Sequence, residues 1–246
     1  MTDPTSADAP SILIVGASRG LGAAMAAEFA GRGWRVTGTV RGDGAAPGRT
    51  ALHALAEQRP DQVAIETLDI TRPEQIAALA GRLAGARFDM LFVNAGVANG
   101  DRAETFADIS TDDFTRMMQT NVLGVMRTVE GLQDLVRADG LIGVMSSGQG
   151  SVANNTTGGG EIYRATKAAL NQSLRSYAAR HARDPHAGGR RALVLMAPGW
   201  IRTDMGGPDA PFGMEEAIPK VVDVLVARQG QPGLAYLDRF GATVPW

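Results

Sequence analysis

Tyr163 and Lys167 are the residues whose types and spacing point most directly to chemistry. They stand four residues apart in the segment IYRATKAALNQSL, whose apolar pattern is typical of a helix, so both side chains project from one face. A free phenol has a pKa of about 10 and transfers protons poorly near neutrality. Because a neighbouring ammonium favours the phenolate, we expect Lys167 to lower the pKa of Tyr163. The pair predicts a proton-transfer site.

A glycine-rich turn lies near the other end of the chain, directly after a predicted strand. Gly16, Gly20 and Gly22 are spaced by four and then two residues. Glycines let the main chain approach a pyrophosphate closely, and a helix that follows aims its N-terminal N–H groups at the phosphates. Taken alone, the cluster fits an ordinary strand-to-helix turn equally well.

Two arginines indicate which dinucleotide the turn would bind. Arg19 lies within it, and Arg41 follows the second predicted strand, where an NAD enzyme usually has an acidic residue that binds the ribose 2′-OH. The nearest acidic residue, Asp43, comes two residues later. Guanidinium groups suit a 2′-phosphate, so the sequence predicts NADP(H); the alternative is two solvated surface arginines. Asp69, after the third predicted strand, is expected either beside the adenine or in a turn.

These residues need a scaffold that brings the ends of several strands together. Short apolar runs alternate with helix-length segments, which predicts an α/β fold with a Rossmann-like doubly wound parallel sheet and helices on both faces. Of about seven strands expected, six are identified by their apolar runs: 12–15, 36–40, 63–68, 90–93, 141–145 and 192–196.

Two helix boundaries are also predicted. Thr71 and Glu74 stand at the spacing of a capping box ahead of a helix. The helix that begins near Glu161 is expected to end within 184–189, which contains a proline and two glycines.

Size and composition narrow the class of protein. With 246 residues, 44% of them hydrophobic, we expect one domain over 11–246 after a flexible tail at 1–10. The net charge of −2 provides no basic field for nucleic acid or anionic lipid. The absence of cysteine and the scattering of three histidines argue against a metal site. No secretory signal or membrane-length apolar run is found, so we expect a cytoplasmic protein.

Several motifs together resemble the short-chain dehydrogenase/reductase family. They follow the family's order and approximate spacing over almost the whole chain: Gly16 to Gly22, Asn94-Ala95-Gly96, Asn121, Ser146-Ser147, Tyr163 to Lys167, and Pro198-Gly199. Segments 146–171, 198–207 and 241–246 are most similar to the C-factor and sniffer-type carbonyl reductase branch. In that branch the loop between serine and tyrosine is long. Ser147 precedes Tyr163 by 16 residues, which favours it over Ser146 and Ser151.

The resemblance implies hydride transfer from NADPH to a ketone or aldehyde group of a small-molecule substrate. Tyr163 would protonate the developing alkoxide, and Ser147 would hold that oxygen. Lys167 would also bind the nicotinamide ribose, and Asn121 would hold a water that links Lys167 to solvent, although Asn121 could instead be a local hydrogen bonder that interrupts its helix. The residues expected to contact the cofactor are Gly16, Ser18, Arg19, Gly20, Leu21, Arg41, Asp69, Ile70, Asn94, Ala95, Gly96, Tyr163, Lys167, Pro198 and Thr203.

The sequence departs from the family pattern at three positions. Val15 and Val93 stand where many relatives have threonine and asparagine, so we expect fewer hydrogen bonds that brace the cofactor loops. Ala197 stands where the closer branch often has a histidine before Pro-Gly, so the resemblance to that branch does not imply the same substrate.

Two other functions are alternatives to carbonyl reduction. One is an NADP(H)-binding signalling or redox-sensing protein with little catalysis, and another is an alcohol-oxidising NAD enzyme. The intact set of Asn121, Ser147, Tyr163 and Lys167 argues against the first, and the two arginines against the second. A homo-oligomer, dimer or tetramer, would be consistent with the family, and the loop 149–160 is either a substrate lid or a flexible connection.

Overall fold

The apolar runs of the sequence form one parallel sheet in the computed structural model, which describes residues 9–42, 48–183 and 190–246. The strands are β1 (Ser11–Val15), β2 (Arg35–Val40), β3 (Val63–Thr67), β4 (Phe88–Val93), β5 (Val136–Met145), β6 (Ala192–Ala197) and β7 (Gly233–Asp238). Their order is β3-β2-β1-β4-β5-β6-β7, and every neighbouring pair is parallel. The order reverses direction between β1 and β4, which opens a crevice at their carboxyl ends.

Helices cover both faces of this sheet. They are α1 (Gly20–Gly31), α2 (Ala51–Gln58), α3 (Pro73–Arg82), α4 (Thr111–Met118), α5 (Val125–Leu132), α6 (Glu161–His181) and α7 (Met214–Arg228). Alternate residues of each strand face opposite sides, so Ile12 and Ile14 pack with α1, α2 and α7, whereas Leu13 and Val15 pack with α3, α5 and α6. The predicted doubly wound fold is confirmed.

The six predicted strands are present with ends shifted by a few residues, but β7 was not identified. It is an edge strand whose residues are largely half-buried, and its apolar run, 234–237, contains no valine or isoleucine, which are typical of central parallel strands. The assignment of 11–246 to one domain stays a prediction. The expected tail falls mainly on residues 1–8, which lie outside the described residues, as do Asp43 and the stretch 184–189.

The predicted capping box at Thr71 is wrong. Helix α3 has Arg72 as its N-cap residue, with no capping side chain. The N–H and hydroxyl of Thr71 instead donate to Asp69 Oδ1 over 2.9 and 2.7 Å, because the aspartate forms a local turn that competes for them. Helix α6 begins at Glu161 as predicted and ends at His181, ahead of the expected stretch.

Candidate active site

The turn between β1 and α1 needs its glycines. Gly16 and Gly20 have φ angles of +88° and +56°, in the left-handed region that favours glycine. A Cβ atom on Gly22 would lie 2.0 Å from the carbonyl oxygen of Gly16. Helix α1 has no acidic residue in its first turn and no capping side chain at its N-terminus. Its first N–H groups are therefore available to an anion.

Hydrogen bonds from two neighbouring strands hold this turn. Asn94, after β4, donates from Nδ2 to the Gly16 carbonyl over 2.9 Å. Thr39, in β2, accepts from the Gly16 N–H at its hydroxyl over 3.0 Å and from the Ala17 N–H at its carbonyl over 2.8 Å. Thr39 thus supplies a side-chain hydrogen bond to the turn, of the kind that we expected to be missing because residue 15 is valine. Thr39 was not among the residues predicted from the sequence.

A cleft of about 670 Å³ crosses the carboxyl ends of the strands from this turn to α6. Its walls include every residue predicted to contact the cofactor, together with Ser147 of the predicted catalytic set. The structure therefore brings to one site residues from both ends of the chain. Their contacts with a cofactor stay predictions.

The two arginines predicted to bind a 2′-phosphate both line the cleft. Arg19 Nη1 pairs with Asp204 Oδ2 at 2.5 Å, joining the glycine turn to the loop after β6. Both side chains are highly exposed, at 72% and 80%, so the pair is accessible to a competing anion. Arg41 is exposed at the end of β2 and is one of the charges that act on Asp69.

Asp69 both forms a turn and lines the cleft, so the two roles expected from the sequence are compatible. Burial acts to raise the pKa of its carboxyl group, but hydrogen bonds from Thr71 and the charges of Arg41 and Arg72 outweigh burial and lower it. Its N–H donates to Gln75 Oε1 over 2.7 Å. The carboxylate is therefore held in its charged form at this end of the cleft.

Tyr163 is half-buried in the cleft wall beside Ser147. Burial raises the pKa of Tyr163 to about 12, while a hydrogen bond with Ser147 and the charge of Arg102 act to lower it. The predicted lowering by Lys167 is thus wrong for this structure. The Lys167 ammonium lies 5.6 Å from the centre of the phenol ring and donates instead to the Met145 carbonyl over 3.0 Å. The phenol is protonated at neutral pH and is suited to donate its proton.

Lys167 is almost fully buried behind the phenol. Burial lowers the pKa of its ammonium to about 8, because the charged form loses solvation. A Cβ atom on Gly96 would lie 3.6 Å from Lys167 Nζ and 3.4 Å from Asn121 Oδ1. The three residues therefore form one cluster beside the cleft. Within it, Lys167 loses its proton at a pH closer to neutral than an exposed lysine does.

Asn121 lies in a π-helical segment, Gln119–Gly124, which interrupts the helix between α4 and α5. Its side chain is fully buried. Oδ1 accepts from the Val97 N–H over 2.8 Å, and Nδ2 donates to the Val97 carbonyl over 2.8 Å and to the Thr166 hydroxyl over 3.0 Å. Asn121 thus lies where the helix is interrupted, but these bonds join it to the segment after β4 and to α6 rather than to its neighbours in sequence. The water-holding role stays a prediction.

The environments of three neighbouring serines differ. Ser147 lines the cleft and accepts from the Gln149 N–H at its hydroxyl over 3.2 Å. Ser146 is buried, and its hydroxyl donates to Asn171 Oδ1 over 2.5 Å. Ser151 is buried outside this cleft. The geometry supports Ser147 as the residue that would meet a substrate oxygen.

Three residues that were not predicted from the sequence support the segment that contains Ser147: Tyr236, Asn171 and Trp246. The hydroxyl of Tyr236, in β7, donates to the main-chain carbonyl of Ser147. Asn171 Nδ2 donates to the Gly150 carbonyl over 3.2 Å. The ring of Trp246 packs against the ring of Tyr236, with 5.5 Å between the ring centres. Asn171 could have been found, because it follows Lys167 by four residues on the same face of α6.

The loop after β6 forms the remaining wall. Gly199 has a φ of +98°, and the adjacent Pro198 carbonyl accepts from Arg239 Nη1 over 3.3 Å. Thr203 Oγ1 accepts from the Gly206 N–H over 2.9 Å, which shapes the turn that faces the glycine end.

The described residues contain no group of three or more histidine, aspartate or glutamate side chains placed to hold a metal ion. The helices among those residues are also too short or too polar to cross a membrane.

Comparison with known proteins identifies the family. The sequence matches the short chain dehydrogenase family model over residues 10–211. The chain belongs to this family. The predicted family resemblance is therefore confirmed.

Solved structures show the same architecture. A Burkholderia multivorans protein described as a short-chain dehydrogenase/reductase, crystallised with bound NADP, is 60% identical to this short chain dehydrogenase, with a TM-score of 0.92 and coverage of 97% of this chain and 100% of that one. A carbonyl reductase from Pseudomonas aeruginosa PAO1 in complex with NADP is 31% identical, with a TM-score of 0.86 over 97% and 100%.

The predicted branch is also supported. The C-signal protein of Myxococcus xanthus is 33% identical over 171 residues, which cover 69% of this chain and 99% of that protein. The carbonyl reductase Sniffer of D. melanogaster shares the fold, with a TM-score of 0.80 at 24% identity, over 97% of this chain and 100% of that one.

Proposed function

We propose that this short chain dehydrogenase is an NADPH-dependent carbonyl reductase that acts on a ketone or aldehyde group of a small molecule. The observation that carries the proposal is the convergence of Ser147, Tyr163 and Lys167 in the cleft that also contains the glycine turn. A hydroxyl and a protonated phenol in hydrogen-bond contact provide two donors for one carbonyl oxygen.

The residues at the adenosine end fit a dinucleotide. Gly16 and Gly22 leave no room for side chains between the main-chain segments, and the uncapped start of α1 suits a diphosphate. Arg19 and Arg41 would hold a 2′-phosphate, and the presence of NADP in the two similar solved structures supports this choice over NAD. When bound, NADPH supplies the hydride.

The polar residues at the other end would handle the substrate oxygen and its proton. Ser147 would donate a hydrogen bond to the carbonyl oxygen, which orients and polarises the group. Tyr163, held protonated, would donate its proton as negative charge develops on that oxygen. Lys167, close behind, would stabilise the phenolate left after the transfer, and Asn121 would keep the path from Lys167 to solvent in place.

The test is consumption of NADPH and of NADH by the purified protein with a panel of aldehydes, ketones, diketones and quinones. We expect turnover with NADPH, weaker turnover with NADH, and a loss of at least about 100-fold in Tyr163→Phe, because the variant has no proton to donate. NADPH binding by Tyr163→Phe, measured by nucleotide fluorescence, serves as the control for folding. Equal turnover by the variant would contradict the role of Tyr163.

A second candidate is an NADP(H)-binding signalling or redox-sensing protein, which the similarity to the C-signal protein favours. The same experiment separates the two. Tight NADPH binding without turnover of any carbonyl compound would support the second candidate. In both cases we expect a cytoplasmic protein, and its association into dimers or tetramers stays a prediction.

A further inference from the structure

Arg102 lies at the end of the cleft that contains Ser147 and Tyr163, which we call the substrate end. It lies in the loop between β4 and α4 and lines the same cleft as Tyr163. Its Nη2 donates to the Met205 carbonyl over 2.7 Å, and its guanidinium carbon lies 5.5 Å from the centre of the Trp200 ring. Its own main-chain carbonyl accepts from the Gly160 N–H over 3.1 Å. The side chain is thus oriented by the loop after β6, and the main chain of Arg102 is bonded to the residue before α6.

The segment that carries Arg102 is itself held in shape. Asn99 donates from Nδ2 to the Asp101 carbonyl over 2.5 Å and to Glu104 Oε2 over 3.1 Å. The N–H of Ala103 donates to Asp101 Oδ1 over 2.8 Å. Because these bonds close a short turn on either side of Arg102, the guanidinium is presented to the cleft by a preorganised loop.

The charge of Arg102 is not matched by a carboxylate. Two other arginines of the cleft have acidic partners: Arg19 pairs with Asp204 at 2.5 Å, and Arg116 pairs with Asp113 at 2.9 Å. Within 9–42, 48–183 and 190–246, Arg102 forms no ion pair. Among the described residues, therefore, no carboxylate is in ion-pair contact with the Arg102 guanidinium.

Arg102 also has hydrogen-bonding capacity to spare. A guanidinium has five N–H donors, and the side-chain bond to Met205 uses one of them. The remaining donors lie in a planar fork that matches the two oxygens of a carboxylate. A phosphate dianion usually draws on several cations or on a helix N-terminus, whereas one arginine suits a singly charged carboxylate.

We propose that Arg102 binds a carboxylate of the substrate, so that the substrates are ketones or aldehydes that also carry a carboxylate group. This inference rests on the proposed reductase function. The Trp200 ring beside the guanidinium offers an apolar surface for the carbon skeleton that joins the two groups. Arg102 would then select and orient the substrate, while Ser147 and Tyr163 would act on its carbonyl oxygen.

The first test compares two aldehydes that differ in charge and by one methyl group, 4-carboxybenzaldehyde and methyl 4-formylbenzoate, by kcat/KM with NADPH. We expect the wild-type protein to prefer the carboxylate by about 10- to 100-fold, the range of a charge-assisted hydrogen bond. In Arg102→Gln the ratio of the two values should fall to about 1. Arg116→Gln removes the same charge from a cleft arginine that already has a partner, and it should retain the preference.

Other outcomes have distinct meanings. If Arg102 only holds the loop that contains Met205, Arg102→Gln will lower both kcat/KM values in proportion and leave their ratio unchanged, which would overturn the inference. Equal use of the two aldehydes by the wild-type protein would overturn it as well.

The second test measures binding without reduction. Calorimetry in the presence of NADP⁺ compares benzoate with methyl benzoate, using wild-type protein and Arg102→Gln. We expect benzoate to bind the wild type at least about 10-fold more tightly than it binds the variant. If neither aldehyde is reduced but this difference is found, the reductase function fails while carboxylate binding by Arg102 stands; equal benzoate binding by both proteins would reject the inference.

Discussion

The two ends of the cleft are built in different ways. At the glycine end, the turn after β1 is held by hydrogen bonds from residues in or directly after neighbouring strands, Thr39 and Asn94. At the substrate end, the loops that follow β4 and β6 contact one another through side chains, as Arg102 does with Met205 and Trp200. The first end tolerates little change because its main-chain segments touch. The second can vary one side chain at a time, which is where specificity is usually set.

The largest effect that follows from this difference concerns glycine replacement. Gly22→Ala places a Cβ atom 2.0 Å from the Gly16 carbonyl, so the main chain of the turn must move. We expect NADPH affinity to fall by about 100-fold, which corresponds to the cost of a displaced and strained turn. Gly148→Ala, at the substrate end, has no atom within 4 Å of the new Cβ and should change NADPH affinity by less than about twofold. Fluorescence titration of both variants checks this, and similar affinities would refute the contrast.

A second contrast is in pH dependence. The pKa of Lys167 is lowered to about 8, so the ammonium is present below pH 8 and is lost above it, whereas Tyr163, with a pKa of about 12, stays protonated throughout. We expect kcat/KM for carbonyl reduction to be level below pH 8 and to fall about tenfold per pH unit above it. NADPH affinity should change much less than kcat/KM between pH 7.5 and 9.5, because most of the predicted cofactor contacts lie away from Lys167. A profile that stays level to pH 10 would contradict the assignment to Lys167.

A third prediction tests the support that Ser147 receives from β7. Tyr236→Phe removes the hydroxyl that donates to the Ser147 carbonyl, which should lower kcat by about 5- to 10-fold, the equivalent of one hydrogen bond, with KM for NADPH unchanged. Tyr177→Phe is the matched control. Tyr177 is also buried, and its hydroxyl donates to Gln133 Oε1 over 2.8 Å away from the cleft. If both variants lose thermal stability alike and neither loses kcat, Tyr236 has a structural role only.

The smallest expected effect concerns the ion pair that joins the two ends. Asp204→Asn frees Arg19 from a highly exposed pair, and such pairs contribute at most about 1 kcal/mol. We therefore expect NADPH to bind about two- to fivefold more tightly at low salt, with NADH affinity unchanged, because NADH has no 2′-phosphate. Calorimetry with both nucleotides measures it. A parallel gain for NADH would show that Asp204 acts on the loop rather than on Arg19.

The sequence was sufficient to predict the elements with short-range signals. The parallel strands, the glycine turn and the Tyr163–Lys167 pair follow from local patterns, and the parallel topology brings their strand ends together. The contact of Tyr236 with Ser147 joins residues 89 positions apart, so no local pattern contains it. The direction of the Tyr163 pKa was wrong because spacing on a helix does not reveal that the lysine ammonium bonds to the Met145 carbonyl and that burial dominates.

The π-helical segment Gln119–Gly124 also shows how one extra residue is fitted into a helix without moving the rest of it. A π turn contains about one residue more than an α turn but completes the same rotation. The direction in which α5 faces is therefore kept, and Val125, Val129 and Leu132 stay packed in the core. Deleting one residue from the segment should restore a regular helix with α5 in place, while Asn121 loses the position from which it bonds to Val97 and Thr166.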